Sequence, residues 1–222
     1  MKKIVAILLP LTLLVSSVSC SQNSNNSSSA VSGQTAESSA ETVAPDAGTG
    51  YTKGVSNDGV YVNEYAKIKI NIPENLRVSS DKEVEDLGAS SLTYYLDEKN
   101  HAFESGIIWD SWFASDMENM IIRFVNTKIA FPDKADASAE DVLEIFRERN
   151  EGSGVKYEDR TTVTLSGEEY LREVYSFEAG EFEPPYFNYM YTRKIDDDLV
   201  CLISVASTST DSTPEKFEGM FE

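Results

Sequence analysis

The residues that come closest to a catalytic cluster are Trp109, Asp110 and Trp112, within the apolar run 106–114. Carbohydrate hydrolases use a pair of carboxylates across a cleft, and Asp110 between two tryptophans is the most sugar-site-like group in the chain. Because side chains alternate along a strand, we expect Asp110 beside Trp112 on one face and Trp109 on the other. A hydrogen-bonded structural aspartate explains the same pattern more simply. We therefore predict no catalytic residue and keep an acidic hydrolase as the alternative.

Other reactive residue types lack the partners that their chemistry needs. His101 is the only histidine and lies in the polar run 97–101, where we expect an exposed loop. Ser166 has no Gly-x-Ser-x-Gly setting. Zinc sites need several Cys or His ligands, and the folded part offers only His101 and Cys201. Cys201 lies in an apolar strand, where it should be a buried hydrophobe. We predict no metal site and no cofactor.

Two acidic runs form a further candidate site. They lie in predicted neighbouring hairpin turns and comprise Glu178, Glu181, Glu183, Asp196, Asp197 and Asp198. Carboxylate oxygens are the ligands that calcium prefers, but no EF-hand loop pattern is present. Solvated turn charges are the commoner outcome, and calcium binding remains an alternative.

A rigid aromatic loop is the best candidate for a partner surface. It comprises Phe182, Pro184, Pro185 and Tyr186. Aromatic residues are enriched at interfaces, where they supply contact area at low entropic cost. From Gly59 onward the chain has 16 basic and 34 acidic residues, a formal charge of -18. Phosphate repulsion therefore argues against nucleic acid as a partner.

The N-terminus predicts export. Lys2 and Lys3 precede a short apolar run, 4–15, which is about a dozen residues long and too short to span a bilayer that needs about 20. Small residues follow, and the run closes on Cys20. This is the pattern of a signal peptide, predicted here to cover residues 1–19.

The segment 17–20 resembles the lipobox of bacterial lipoproteins. Val18, Ser19 and Cys20 fit it, and Ser17 stands where the lipobox usually has Leu. The resemblance implies that Cys20 carries a diacylglyceryl anchor and that the protein is extracytoplasmic. Residues 21–50 are rich in Ser and Asn and have no aromatic residue, so residues 20–58 are predicted to be a lipidated, disordered tether.

Residues 59–222 are predicted to form one α+β domain with a mainly antiparallel sheet and helices on both faces. Ser80 and Glu83 form a capping box that opens a short helix, expected to end near Gly88. A second helix should run from Ser138 to about Asn150, and a third should start after Thr213. Strands are predicted over the ranges 60–65, 67–72, 91–96, 106–114, 119–127, 156–165, 169–178, 186–195 and 199–208.

This order of elements resembles the PsbP-like α/β/α sandwich. The resemblance lies in an early hairpin ending at Ile72-Pro73, the Trp109-Asp110 strand, a mid-chain helix, a four-strand meander and a capped C-terminal helix. Small lipoproteins of Gram-positive bacteria are among the proteins with this fold. The resemblance implies protein binding and carries over no catalytic residue. The sequence therefore predicts a lipid-anchored, non-catalytic domain that recognises a protein or envelope component.

Overall fold

The computed structural model describes residues 50–134, 136–177 and 184–222. The predicted signal peptide and Cys20 lie outside the described residues, as does Phe182. In the described part the strands are β1 (Val55–Asn57), β2 (Val60–Asn63), β3 (Ile68–Asn71), β4 (Arg77–Val78), β5 (Ile107–Ala114), β6 (Glu118–Asn126), β7 (Lys156–Tyr157), β8 (Thr161–Leu165), β9 (Glu168–Phe177), β10 (Tyr186–Lys194) and β11 (Leu199–Ser207). The helices are α1 (Asp81–Tyr94), α2 (Glu98–Ser105), α3 (Thr127–Ala130), α4 (Ala139–Arg149) and α5 (Pro214–Glu218).

Eight of the described strands form one antiparallel sheet, which confirms the predicted α+β class. The order is β4-β5-β6-β11-β10-β9, and β7 and β8 both pair with β9. β11 is buried along its whole length and lies between β6 and β10. The prediction that this doubly apolar strand is central is therefore correct.

The two faces of the large sheet are covered differently. The first face packs against the small sheet β1-β2-β3 and against Phe217 of α5, in a core that includes Tyr61, Ile68 and Ile70. The second face packs against α2 and α4 through Phe103, Val142 and Ile145, among others. We call these the sheet-covered face and the helix-covered face.

The first helix is longer than predicted. The capping box of Ser80 and Glu83 is present, but α1 continues through Gly88 to Tyr94, so the strand predicted for 91–96 is wrong. Gly88 lies against Trp109, and an added Cβ would come within 2.8 Å of that ring. The glycine therefore serves a close helix-to-strand contact and does not end the helix.

The polar run 97–101 is helical as well. Asp97 caps α2 by accepting a hydrogen bond from the backbone N–H of Asn100, at 3.0 Å. His101 is exposed as expected, but it belongs to this helix, and its Nδ1 lies 3.2 Å from the Tyr95 carbonyl oxygen. The expectation of a loop was wrong because the capping aspartate starts a helix in a polar sequence.

A β-bulge in β5 changes which face its side chains occupy. The pairing with β6 shifts register between Trp109 and Ser111. Beyond the shift, Phe113 joins the core of the sheet-covered face and Trp112 pairs with Ile121 on the helix-covered face. Asp110 faces the small sheet, so the prediction that it lies beside Trp112 is wrong. One extra residue moved Trp112 to the side of Trp109.

Two further boundaries differ from the expected ones. The strand predicted for 156–165 is split into β7 and β8, whose registers on β9 differ by one residue; between them, Arg160 Nε donates to Glu173. The domain was predicted to begin at Gly59, but β1, which precedes Gly59, already pairs with β2. Among the described residues, no helix has both the length and the hydropathy needed to cross a membrane.

Candidate functional site

Asp110 is the centre of a buried hydrogen-bond cluster. Its Oδ1 accepts a hydrogen bond from the Tyr61 hydroxyl at 2.6 Å, and its Oδ2 accepts one from the Tyr51 hydroxyl at 2.6 Å. The backbone N–H of Gly54 and Nδ2 of Asn63 also donate to Oδ2, each at 3.1 Å. The side chain is almost fully buried. Three donors converge on Oδ2 and one binds Oδ1, so both oxygens of this buried carboxylate are held by the protein, which favours a structural role over that of a catalytic base.

The cluster also perturbs the two tyrosines that donate to Asp110. Burial, followed by the nearby Asp110 charge, raises the pKa of Tyr51 and of Tyr61 well above the usual value. Both hydroxyls therefore stay protonated and remain donors. The group joins the segment before β1, the strand β2 and the large sheet, which is a structural role.

The acidic turn between β10 and β11 serves the hairpin itself. Asp196 Oδ1 accepts hydrogen bonds from the backbone N–H groups of Asp198 and Leu199, both at 2.8 Å, and the Tyr65 hydroxyl donates to Oδ2. Asp198 forms an ion pair with Lys128 at 2.7 Å. The other acidic run, Glu178, Glu181 and Glu183, lies outside the described residues. Within the part that is described, no three His, Cys, Asp or Glu side chains converge closely enough to hold a metal ion.

Cys201 lies where the sequence suggested, on β11 in the core of the sheet-covered face. It is fully buried as a free thiol, and burial raises its pKa to about 12. A thiol in this environment is not a nucleophile at neutral pH.

The residues predicted to form a partner surface are placed in part. Pro184 is exposed, while Pro185 and Tyr186 are partly buried. Tyr186 is the first residue of β10; its ring packs on Phe177 with centroids 5.8 Å apart, and its hydroxyl accepts a hydrogen bond from Nδ2 of Asn188. Tyr186 therefore belongs to the rim of the helix-covered face.

The unexpected feature of that face is Arg123, in the middle of β6. Its residue exposure is 8 %, and its guanidinium carbon lies 5.3 Å from the centre of the Trp109 ring and 5.7 Å from that of Phe146. Nη2 donates to Ser204 Oγ at 2.8 Å, whereas Nε is buried with no hydrogen-bond partner. Among the described residues, no carboxylate lies within 4.0 Å of Arg123.

The nearest buried carboxylate is already neutralised by a different arginine. Glu104 of α2 accepts hydrogen bonds from Arg149 Nη1 and from Ser91 Oγ, both at 2.7 Å. Arg149 also lies over the Tyr95 ring, 3.9 Å from its centre. Ser91, Glu104 and Arg149 thereby connect α1, α2 and α4. Two buried guanidinium groups therefore share one carboxylate, and Arg123 forms no ion pair of its own among the described residues.

Other polar atoms around Arg123 are also without partners. The strand register places Ser204 next to Leu202, the residue opposite Arg123, and places Asn188 opposite Ala206 on the same face. Asn188 Oδ1 and Trp112 Nε1 are buried and make no hydrogen bond. Buried polar groups in proteins nearly always have partners. Several on this face do not, among them Arg123 Nε, Trp112 Nε1 and Asn188 Oδ1, and Thr192 Oγ1 opposite Leu202 is another. Their presence on one face indicates a place for a bound molecule.

We call this group the arginine recess: Arg123, Trp109, Trp112, Phe146, Tyr186, Asn188 and Ser204. The two tryptophans, Phe146 and Tyr186 each keep part of their surface in solvent, which leaves the rim accessible. Arg123 was not among the residues predicted from the sequence. Its signal was a single charge inside the otherwise apolar run 120–125 of the strand predicted for 119–127.

The chain matches no protein-family model, and no curated protein matches it.

Proposed function

We propose that the protein is an extracytoplasmic lipoprotein whose folded domain binds a protein or another component of the bacterial envelope without catalysing a reaction. The observation that carries the binding role is the arginine recess, where a buried guanidinium has aromatic walls and no ion-pair partner among the described residues. Burying a charge that lacks an ion-pair partner costs several kcal/mol of stability. A residue that imposes such a cost is commonly retained only where it serves a function.

The location rests on the N-terminal pattern. Cys20 is the proposed site of the lipid, and two acyl chains are sufficient for stable anchoring. The formal charge of -19 would repel anionic lipid headgroups, so the covalent lipid would have to provide the attachment.

We also infer that the domain is a PsbP-like sandwich. Support comes from the large antiparallel sheet, from α1, α2 and α4 on one face, and from α5 beside the small sheet on the other. The resemblance to this family implies protein binding, and the arginine recess supports a binding role.

The test uses tagged full-length protein and its Cys20→Ala variant in a bacterial host, with Ser21→Ala as the matched control. The wild type and the control should be found in the membrane fraction with a diacylglyceryl group on Cys20, detected by mass spectrometry. Cys20→Ala should be released. Chemical cross-linking of the wild type in intact cells should capture an envelope component.

Membrane retention of the Cys20→Ala variant would contradict the anchor. Cross-linking that captures no envelope component at all would contradict the binding role.

A further inference from the structure

We propose that the arginine recess binds an organic carboxylate with an apolar body, with Arg123 as its counter-ion. This inference deepens the proposed binding function and rests on it. Three properties of the recess favour such a ligand: a buried positive charge with no ion pair among the described residues, unpartnered polar atoms and aromatic walls.

The charge favours an anion. The rest of the chain is strongly acidic, yet within the described ranges Arg123 has only a hydroxyl, Ser204 Oγ, as a hydrogen-bond partner. A guanidinium presents its donors in a planar fork that matches a carboxylate, and Nε is one of the two donors used in that geometry. Nε is the atom that the protein leaves without a partner.

The surroundings favour a carboxylate over a free inorganic anion. The recess is lined with the apolar ring surfaces of Trp109, Phe146 and Tyr186. Phosphate and sulfate have no apolar part that could pack against these rings. Burial raises the pKa of the Tyr186 hydroxyl to about 12, so that hydroxyl stays neutral and does not repel an anion. The apolar walls exclude water and thereby strengthen the ion pair that the ligand would form.

The remaining orphaned groups give the recess hydrogen-bonding capacity beyond the guanidinium. Trp112 Nε1 is an unpaired donor on the same face, suited to a carboxylate oxygen. Asn188 Oδ1 is an unpaired acceptor that would accept a hydrogen bond from an N–H or O–H of the ligand. The ligand would therefore satisfy groups that the protein alone does not.

The experiment is a titration of the full-length protein with benzoate and with hexanoate, followed by intrinsic fluorescence. The chain has two tryptophans, Trp109 and Trp112, and both belong to the recess, so the emission reports binding directly. We expect a saturable change with both carboxylates. Benzamide, which has the ring without the charge, should bind at least about 10-fold more weakly, as should inorganic phosphate.

Two variants separate binding from folding. Arg123→Met should abolish the benzoate response, while its unfolding midpoint should stay equal or rise, because a buried charge with no ion pair among the described residues has been removed. Trp112→Phe keeps the ring but removes the unpaired N–H, and should weaken benzoate binding about 3-fold or more, followed through Trp109. Lys69→Gln is the matched control, since Lys69 is an exposed cation of the small sheet that pairs with Glu222 over the opposite face; it should bind as the wild type does.

No saturable response to either carboxylate up to about 10 mM would overturn the proposal. Equal affinity for phosphate and benzoate would also overturn it, as would an unchanged affinity in the Arg123→Met variant. Any of these results, together with intact membrane anchoring and cross-linking, would remove only the carboxylate assignment. Loss of anchoring or of cross-linking would instead contradict the proposed function.

Discussion

At the scale of single residues, two neighbours on β5 have opposite environments. Asp110 receives four hydrogen bonds from the protein on the sheet-covered face, with both carboxylate oxygens engaged. Trp109 faces the other way and forms a wall for Arg123, whose guanidinium keeps an unused donor. A satisfied buried group stabilises the fold, whereas an unsatisfied one indicates a binding surface.

The Asp110→Asn variant tests the structural role of the carboxylate. An amide has one oxygen acceptor in place of two, so at least one buried tyrosine hydroxyl loses its partner. We expect the free energy of unfolding to fall by about 3 kcal/mol, measured by denaturant titration. The matched control is Asp116→Asn, because Asp116 is an exposed turn residue that makes no hydrogen bond or ion pair within the described ranges. A loss of less than about 1 kcal/mol would contradict the structural role.

At the scale of helices and strands, capping signals were reliable and residue counts within strands were not. Ser80, Ser138 and Thr213 each cap the helix that the sequence predicted. These signals are local, since a side-chain oxygen and a backbone N–H three residues on are sufficient. The predicted helix end at Gly88 was wrong because this glycine is needed for the close contact with Trp109, which is distant in sequence.

The β-bulge in β5 was also missed because it depends on a contact between residues that are distant in sequence. Whether Asp110 and Trp112 share a face depends on how β5 pairs with β6, and the sequence of β5 alone contains no record of that pairing. The candidate site was therefore predictable only in part. Asp110 as a structural aspartate was foreseeable, whereas the arginine recess requires the register of β5, β6, β11 and β10 and the position of α4.

The Glu83→Gln variant tests the capping box of α1 through its dependence on pH. Hydrogen bonding to Arg77 and then to the backbone and side chain of Ser80 lowers the pKa of Glu83 from 4.5 to about 2. A depressed folded-state pKa gives stability that is complete above about pH 4.5 and is lost as the pH falls towards 2. Because Glu83 is substantially exposed, we expect only about 0.5 kcal/mol at neutral pH.

The measurement is the difference in free energy of unfolding between the wild type and the variant across this pH range. The difference should shrink as the pH falls. Glu85→Gln changes an exposed glutamate on the same helix outside the capping box and should give no such trend. A difference that stays constant from neutral pH to pH 2 would contradict this origin.

At the scale of the whole molecule, the folded unit includes residues before the predicted boundary at Gly59. Tyr51 packs on Phe124 with ring centroids 5.1 Å apart, and Gly54 donates to Asp110. The boundary was misplaced because the sequence before Gly59 is polar and its contacts are made with the distant strands β5 and β6. Composition alone does not reveal contacts of this kind.

Two shortened chains test this extent. A chain that starts at Gly50 should retain the full free energy of unfolding, whereas one that starts at Gly59 lacks β1 and two of the four donors to Asp110. We expect the second chain to be less stable by about 3 kcal/mol, measured by denaturant titration of both chains and of the full-length protein. Equal stability of the two shortened chains would show that residues 50–58 contribute nothing.

The position of Tyr51 and Gly54 also determines how the domain would respond to mechanical traction. Force applied through the preceding residues would first load the hydrogen bonds from Tyr51 and Gly54 to Asp110, and only afterwards the ladder between β1 and β2. The C-terminus lies against β3, where the backbone N–H of Glu222 donates to the Lys69 carbonyl oxygen. Under load the small sheet should therefore peel away before the central strands, leaving the opposite face of the molecule undisturbed.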